Sequence, residues 1–371
     1  MNLTQLEQFS RLDPDNLSLR LSLAEQYLWA GRPDDAWRTL ERGAGEEPRV
    51  RFLRARIHLQ RGEFRAVVAL LRPMAEAPGA TAVLWHDLGF AQLCLRELEA
   101  AETSVQRGLL HEELPELYVL WARIAHARED LDRALGHVGQ ALQRAPQNAE
   151  ALGVCALLSL DAGQPEEAEG LARRALAAQS RQHEALIVVG AVLVLRREAD
   201  AARQHLESAL VHYPNSPRLL TAQAQALLLG NDVAAAQQQI ARSVAIEPGH
   251  LGSWHVLAWT QLLKGERDAA RRSFERAFEI DRNFAETHAG LAVVCALEGR
   301  ETEAAQWARR ARRLDPDSPT AVYAEALLRS MQGDAGAHER LSGLLARLPG
   351  EAGHGVDARQ LLEASRRRLK G

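Results

Sequence analysis

The chain has 371 residues, of which 46% are apolar and 25% are charged. This composition excludes a wholly disordered chain. The formal net charge of −4 gives no basic excess that would favour nucleic acid or an acidic membrane surface.

The first segment, MNLTQLEQFSRLDPD, has no basic region followed by an apolar core, so we expect no secretory signal. The longest apolar run, ALIVVGAVLVL from Ala185 to Leu195, is 11 residues long. A membrane-spanning helix needs about 20 residues. We therefore expect a soluble, cytoplasmic protein with no membrane span.

No catalytic or metal-binding motif stands out in the sequence. Cys94, Cys155 and Cys295 lie far apart, which predicts reduced, buried thiols rather than a metal site or a disulfide framework. His111 and His183 are each followed by glutamate but lack the second histidine of a zinc-binding helix. We expect no enzyme activity, no cofactor and no metal.

Small residues recur every 34 positions along most of the chain. One series in this register is Ala122, Ala156, Gly190, Ala224, Ala258, Ala292 and Ala326. A second series follows 12 residues later and begins Ala134, Ala168, Ala202, and a third follows seven residues after that and begins Ala141, Ala175, Ala209. Apolar residues between them are spaced as on one face of a helix. The pattern predicts pairs of helices that approach closely at the small residues.

This 34-residue unit resembles the tetratricopeptide repeat (TPR), a helix–turn–helix motif. The segment from Leu251 to Arg282 carries the motif residues Trp254, Leu257, Ala258, Gly265, Ala270, Phe274 and Ala277. Ten repeats begin at Leu17, Pro48, Ala82, Pro115, Ala149, His183, Pro217, Leu251, Ala285 and Pro319. The resemblance implies an all-α fold, a right-handed superhelical α-solenoid of TPR repeats of bacterial type, with about 22 helices and no strand.

The regularity of the repeats predicts three parts. Residues 1–81 comprise an N-terminal helix at 2–12 and two irregular repeats, because Arg51 and Arg54 occupy positions that are normally apolar. Residues 82–350 form the regular solenoid of about eight repeats. Residues 351–371 form a C-terminal capping helix, since the ends of a repeat array must be closed.

Proteins of this family bind partners in a concave groove lined by the first helix of each repeat, mainly at repeat positions 2, 5, 6, 9, 12 and 13. By this resemblance, a protein or peptide partner would contact Phe90, Arg123, Leu157, Leu160, Ile187, Val194, Thr221, Gln225, Leu228, His255, Trp259 and Val293. The groove would be of mixed charge over the first four repeats and apolar from about Ala149 to Leu297. The alternative is that the apolar strip merely packs one first helix against the next.

Two tryptophans give a more specific prediction of which residues are buried and which line the groove. Trp254 occupies the core position 4 of its repeat, and Trp259 occupies the groove position 9. We therefore expect Trp254 to be buried and Trp259 to be an exposed anchor for a partner, together with Phe90.

Three functions remain open. The leading interpretation is a protein-binding scaffold or adaptor; the second is a chaperone or assembly factor that shields an apolar segment of a secretion or envelope component. The third, a nucleic-acid-binding helical repeat, requires a basic groove with stacking aromatics, which the sequence lacks. The carboxylate clamp of TPR co-chaperones is also not expected, because no repeat has lysine at position 5 or asparagine at positions 6 and 9.

Overall fold

The computed structural model of the protein describes residues 2–41 and 47–331, and this part of the chain contains twenty α-helices and no strand. It divides into two compact units, unit 1 from Met1 to Gln179 and unit 2 from Ser180 onward. The segment 42–46 and everything after residue 331 lie outside the described residues. The second half of the last repeat and the predicted capping helix 351–371 fall there.

Helix α1 spans Leu3–Leu12 and precedes the repeats. The first helices of the repeats are α2 (Leu17–Trp29), α4 (Pro48–Gln60), α6 (Ala82–Cys94), α8 (Pro115–Ala127), α10 (Ala149–Asp161), α12 (His183–Leu195), α14 (Pro217–Leu229), α16 (Leu251–Lys264), α18 (Ala285–Leu297) and α20 (Pro319–Met331). The second helices are α3 (Pro33–Glu41), α5 (Phe64–Glu76), α7 (Leu98–His111), α9 (Leu131–Arg144), α11 (Pro165–Ala178), α13 (Ala199–His212), α15 (Val233–Ile246), α17 (Arg267–Ile280) and α19 (Glu301–Leu314). Every first helix begins at the residue predicted to start a repeat, with spacings of 34 residues from Pro115 onward.

Local chemistry sets these boundaries. The side chains of Asn16, Asn148 and Ser216 each accept a hydrogen bond from the backbone N–H three residues later, which caps the first turn of a helix. Repeat position 15, where the first helix gives way to the turn, has positive φ in the described repeats from Gly31 to Gly299. Glycine meets this requirement without strain, whereas Arg96 and Glu129 adopt the same φ of 63° against the preference of an L-residue.

The small residues of the register are the contact points between helices. Ala122, Ala134 and Ala141 are fully buried in one repeat of unit 1, and Ala258, Ala270 and Ala277 are fully buried in one repeat of unit 2. Burial of the apolar faces between neighbouring helices supplies the core of each unit, because a single helix pair has nothing else to cover its face.

The cysteines are unpaired thiols in the structure. Only Cys295 is buried, so the prediction that all three are buried is wrong for Cys94, which is exposed, and for Cys155, which is half-buried. Cys94 is the last residue of α6, where the helix end leaves its side chain uncovered.

Gly290 in α18 shows how little space the helix contacts leave. A Cβ atom added at this position would lie 2.3 Å from Cε1 of the Phe274 ring. Phe274 is fully buried, so the ring has no room to withdraw. The absence of a side chain at Gly290 is therefore required for α17 and α18 to pack.

We expect Gly290→Ala to lower the free energy of unfolding by about 1–3 kcal/mol, because the added methyl group overpacks the Phe274 contact. In a repeat array the damage should stay close to α17 and α18. Chemical denaturation measures the loss, and hydrogen exchange locates it. The matched control is Gly136→Ala in α9, where an added Cβ meets no atom within 4 Å. Alanine there should stabilise the helix slightly, and uniform loosening of all repeats by Gly290→Ala would contradict the prediction.

Candidate protein-binding face

Repeat positions 5, 9 and 12 of the first helices lie on one side of each helix, and we call this surface the first-helix face of its unit. Of the twelve predicted groove residues, eight are buried and only Phe90, Arg123, Leu160 and Gln225 are partly exposed. The buried ones are Leu157, Ile187, Val194, Thr221, Leu228, His255, Trp259 and Val293. Three of the four partly exposed residues belong to unit 1.

The prediction that Trp259 is an open anchor is wrong. Its side chain is only 4% exposed, and its indole ring meets the ring of Phe274 edge-on, with centroids 5.4 Å apart. Trp259 belongs to the main core cluster of unit 2, together with Leu262 and Val293. Position 9 is therefore a packing position in this repeat, because an indole at this point of α16 reaches the core residue Phe274 of α17.

The expectation for Trp254 is also wrong in part. This tryptophan, expected in the core, is only half-buried. Its indole N–H donates a hydrogen bond of 2.8 Å to the carbonyl oxygen of Pro248, in the turn before α16. The ring thus lies across the connection between two repeats, where one edge remains in contact with solvent.

Polar side chains on the first-helix face of unit 2 are bonded to one another. The hydroxyl of Thr221 lies 2.9 Å from the hydroxyls of both Ser243 and Ser253. Nε2 of His255 lies 2.8 Å from the hydroxyl of Thr287, and the imidazole is fully buried. These contacts join neighbouring repeats and leave no polar surface for a partner at these positions.

The apolar strip predicted from Ala149 to Leu297 is consequently not an open surface where the structure describes it. Leu157, Val194 and Val293 are each at most 8% exposed. The burial of these three side chains agrees with the alternative that they pack one first helix against the next, whereas Leu160 and Gln225 of the same strip remain partly exposed. The reason is geometric, since branched side chains at positions 9 and 12 fill the space between adjacent first helices of the same unit.

The first-helix face of unit 1 is different, because ion pairs connect successive first helices across it. Glu25 of α2 lies 3.8 Å from Arg49 of α4, between Oε1 and Nη2. Farther along, Arg123 of α8 pairs with Glu150 of α10 at 2.5 Å. His126 of α8 approaches Asp161 of α10, with Nε2 and Oδ2 2.8 Å apart.

Asp87 in α6 is a residue that the sequence reasoning missed. It occupies repeat position 6 and is only 7% exposed. Its Oδ2 atom makes no hydrogen bond and lies 3.7 Å from Nε of Arg56, while its Oδ1 atom lies 3.1 Å from Nδ1 of His86. The available signal was a carboxylate at a position that is Leu53 in the preceding repeat and Leu120 in the following one.

Two phenylalanines give this face its apolar part. Phe90 is half-buried and meets the Phe64 ring edge-on, with centroids 6.4 Å apart. Phe52 is half-buried under the guanidinium of Arg56, whose central carbon lies 5.9 Å from the ring centroid. The face therefore combines partly exposed aromatic rings with paired charges, which is the composition typical of protein-binding surfaces.

Cys94 lies at the edge of the same face. Desolvation by the surrounding protein raises the pKa of its thiol to about 11, and the nearby Arg123 charge opposes this shift only in part. At neutral pH the group is a thiol and not a thiolate, so it has little nucleophilic character. Within residues 2–41 and 47–331, no group of three or more side chains could hold a metal ion, and no helix could cross a membrane.

The helix pairs of both units define an all-α solenoid of helix–turn–helix repeats. A family model described as tetratricopeptide repeat matches residues 119–184 and 256–319. The matched segments share their 34-residue register with the other repeats of the chain, so the chain is a tetratricopeptide-repeat protein.

Solved structures share this fold at low sequence identity. A chain of the APC/C hetero-tetramer Cut9–Hcn1 is similar with a TM-score of 0.70 and 14% identity, over 85% of this chain and 63% of that chain. The protein thus spans less than two thirds of that relative. Human IFIT1, solved as a dimer with PPP-AAAA, is similar with a TM-score of 0.56 and 17% identity, over 99% of this chain and 94% of that chain. At such identities the likeness shows the fold alone. No curated protein sequence matches the chain.

The sequence predicted that Trp254 is buried and Trp259 exposed, and the structure reverses the expected effects of substituting them. Trp259→Ala should cost about 3–5 kcal/mol of stability, because it leaves a cavity beside Phe274. Trp254→Ala should cost clearly less, since its ring is already partly solvated. Urea denaturation of the two variants compares them directly. A smaller loss for Trp259→Ala than for Trp254→Ala would mean that Trp259 is not a core residue.

Proposed function

We propose that the protein is a non-enzymatic scaffold that binds a protein partner through the first-helix face of unit 1. The observation that supports this proposal is the contrast between the units. Phe90 and Arg123 remain partly exposed in unit 1, whereas Trp259 and Val293, at the same repeat position in unit 2, are buried. A partner therefore finds aromatic rings and charges on unit 1, whereas unit 2 is closed by packing at most of these positions and leaves Gln225 partly exposed.

The chemistry of this face favours a polar partner segment with a few apolar anchors. Phe52 and Phe90 offer rings that an apolar side chain can cover. The pairs Glu25–Arg49 and Arg123–Glu150 offer charges of both signs, which orient a partner of complementary charge. Central aromatic and arginine residues contribute most of the binding energy in many interfaces.

Asp87 supports the same proposal. A buried carboxylate whose Oδ2 atom lacks a hydrogen bond destabilises the folded protein, because its desolvation is incompletely compensated. Arg56 at 3.7 Å and His86 at 3.1 Å compensate it only in part. An N–H or O–H group of a partner would donate the hydrogen bond that this oxygen lacks.

The two alternative functions have less support. A chaperone for an apolar segment needs an open apolar strip, but Leu157, Val194 and Leu228 are buried. A nucleic-acid-binding function needs uncompensated basic residues, whereas Arg49, Arg56 and Arg123 all lie close to carboxylates. IFIT1 with PPP-AAAA shares only the fold. We place the protein in the cytoplasm as part of this proposal.

The test is capture of partners from the source lysate by the immobilised full chain and by two face variants, Phe90→Ala and Arg123→Ala. A partner of the proposed face should lose about 2 kcal/mol or more of binding free energy with at least one of these variants, because hot-spot truncation has that magnitude. Arg65→Ala, an exposed change on the second helix α5, serves as the control. Thermal melting of each variant separates lost binding from lost folding.

Cross-linking of the captured partner locates the contact independently. Cross-links should join the partner to α4, α6 and α8. A partner that binds all four proteins equally, or that cross-links to unit 2 alone, would overturn the assignment of this face.

A further inference from the structure

A cavity of about 630 Å³ lies between α1, α2 and α3, on a side of α2 other than the first-helix face. Repeat positions 4, 7 and 11 of α2 line it with Arg20, Leu23 and Tyr27. The two flanking helices contribute the polar residues Glu7, Ser10, Arg11, Asp35, Arg38 and Thr39. The cavity lies wholly within unit 1 and shares no residue with the proposed partner-binding face.

Arg20 is the unusual residue of this cavity. Repeat position 4 is leucine in three other repeats, at Leu152, Leu186 and Leu220, whereas the repeat after Arg20 has the half-buried Arg51 there. The Arg20 residue is only 5% exposed, and its Nε–H donates a hydrogen bond of 3.1 Å to the carbonyl oxygen of Thr39. Its Nη2 atom is buried and has no hydrogen-bond partner among the described residues. The guanidinium is thus a buried cation that is bonded on one edge only.

The acidic residues of the cavity are already engaged elsewhere. Glu7 accepts a hydrogen bond of 2.8 Å from the hydroxyl of Tyr27. Asp35 pairs with Arg32 at 2.6 Å and with Arg38 at 3.3 Å. None of the ion pairs in the described part of the chain includes Arg20. Burial of a cation without a direct ion pair is unfavourable, and an anion bound in the cavity would reduce this cost.

A second repeat of unit 1 has a cavity at the equivalent place. A cavity of about 820 Å³ lies between α5, α6 and α7, and Trp85 at position 4 of α6 lines it. The indole Nε1 of Trp85 is buried without a hydrogen-bond partner. At the same repeat position in unit 2, Trp254 donates to Pro248. In both cavities a buried donor at position 4 is left without an acceptor.

We propose that the Arg20 cavity binds a carboxylate, with the Nη atoms of Arg20 as the principal donors. A guanidinium fork fits a carboxylate bidentately, and Nη2 needs one acceptor. Arg11 and Ser10 line the same cavity and supply further positive charge and a hydroxyl. A carboxylate is favoured over a phosphate because the planar guanidinium fork matches the two oxygens of a carboxylate, whereas the further charged oxygens of a phosphate would need donors in a cavity that Glu7 and Asp35 also line. The ligand is a free dicarboxylate or a glutamate or aspartate side chain of a peptide.

The experiment titrates the full chain by calorimetry with succinate, with a tetraglutamate peptide blocked at both ends, and with inorganic phosphate. Three variants are compared with the natural chain. Arg20→Leu introduces the residue that three other repeats have at this position, and Arg20→Lys keeps the charge but loses the fork. Arg65→Leu, an exposed change on α5, is the matched control.

We expect succinate or the peptide to bind the natural chain and the control alike. Arg20→Leu should weaken binding about tenfold to a hundredfold, the effect of losing a hydrogen bond to a charged group, and Arg20→Lys should weaken it less. The melting temperature of ligand-free Arg20→Leu should equal or exceed that of the natural chain, because an uncompensated buried charge is removed. Binding of succinate assigns a small dicarboxylate, and binding of the peptide alone assigns an acidic segment.

Three results would overturn the proposal. They are the absence of binding by both carboxylate probes, unchanged affinity in Arg20→Leu, and phosphate binding as tight as carboxylate binding. If Arg20→Leu fails to fold, Arg20→Lys is the test variant. Unchanged carboxylate affinity in Arg20→Lys would then overturn the proposal. Phe90 and Arg123 do not line this cavity. A negative result in this experiment would therefore not contradict the proposed protein-binding face.

Discussion

Close helix contact at small residues is the constraint on which the rest of the structure depends. A helix pair of this kind cannot bury its own apolar face, so it is stable only when the next pair approaches to within contact distance. Gly290 shows how little space remains between the helices, since even a methyl group there would collide with the ring of Phe274. The fully buried alanines at repeat positions 8, 20 and 27 serve the same approach throughout both units. At the remaining positions, a side chain is buried or exposed according to its size relative to the space left between the helices.

This dependence on side-chain size explains why the same repeat gives different surfaces in the two units. In unit 2, positions 5, 9 and 12 carry Thr221, His255, Trp259 and Val293, which fill the space between neighbouring helices or bond across it. In unit 1, the same positions carry Arg56, His86, Phe90 and Arg123, which remain at least partly exposed and pair or stack at the surface. The repeat therefore fixes which side of a helix faces inward, while the individual side chains decide whether that side is open.

The fold was predictable because its signal is local and repeated. The 34-residue spacing of small residues located the starts of the first helices from Pro115 to Pro319, and the repeat motif located those at Leu17, Pro48 and Ala82, without any knowledge of long-range contacts. The site was less predictable because exposure depends on neighbours in space. Trp259 was placed on an open face by its repeat position, yet the core ring of Phe274 lies beside it. Asp87 occupies a predicted groove position, and its departure from Leu53 and Leu120 was visible in the sequence, but the burial of its carboxylate depends on neighbours in space.

The departures from the repeat pattern carry the functional information. Three charged residues are buried in the described part of the chain, Arg20, Asp87 and Glu169, and all lie in unit 1. Glu169 pairs with Arg173 at 2.7 Å, as a residue with a purely structural role would. Arg20 and Asp87 each keep a buried polar atom without a hydrogen bond, at positions where leucine occurs in other repeats. Leucine at either position would remove an unfavourable charge, so stability alone does not explain these residues. Departures of this kind from an otherwise consistent pattern are typical of binding sites, which is why one such residue lies on the proposed protein-binding face and the other in the proposed carboxylate cavity.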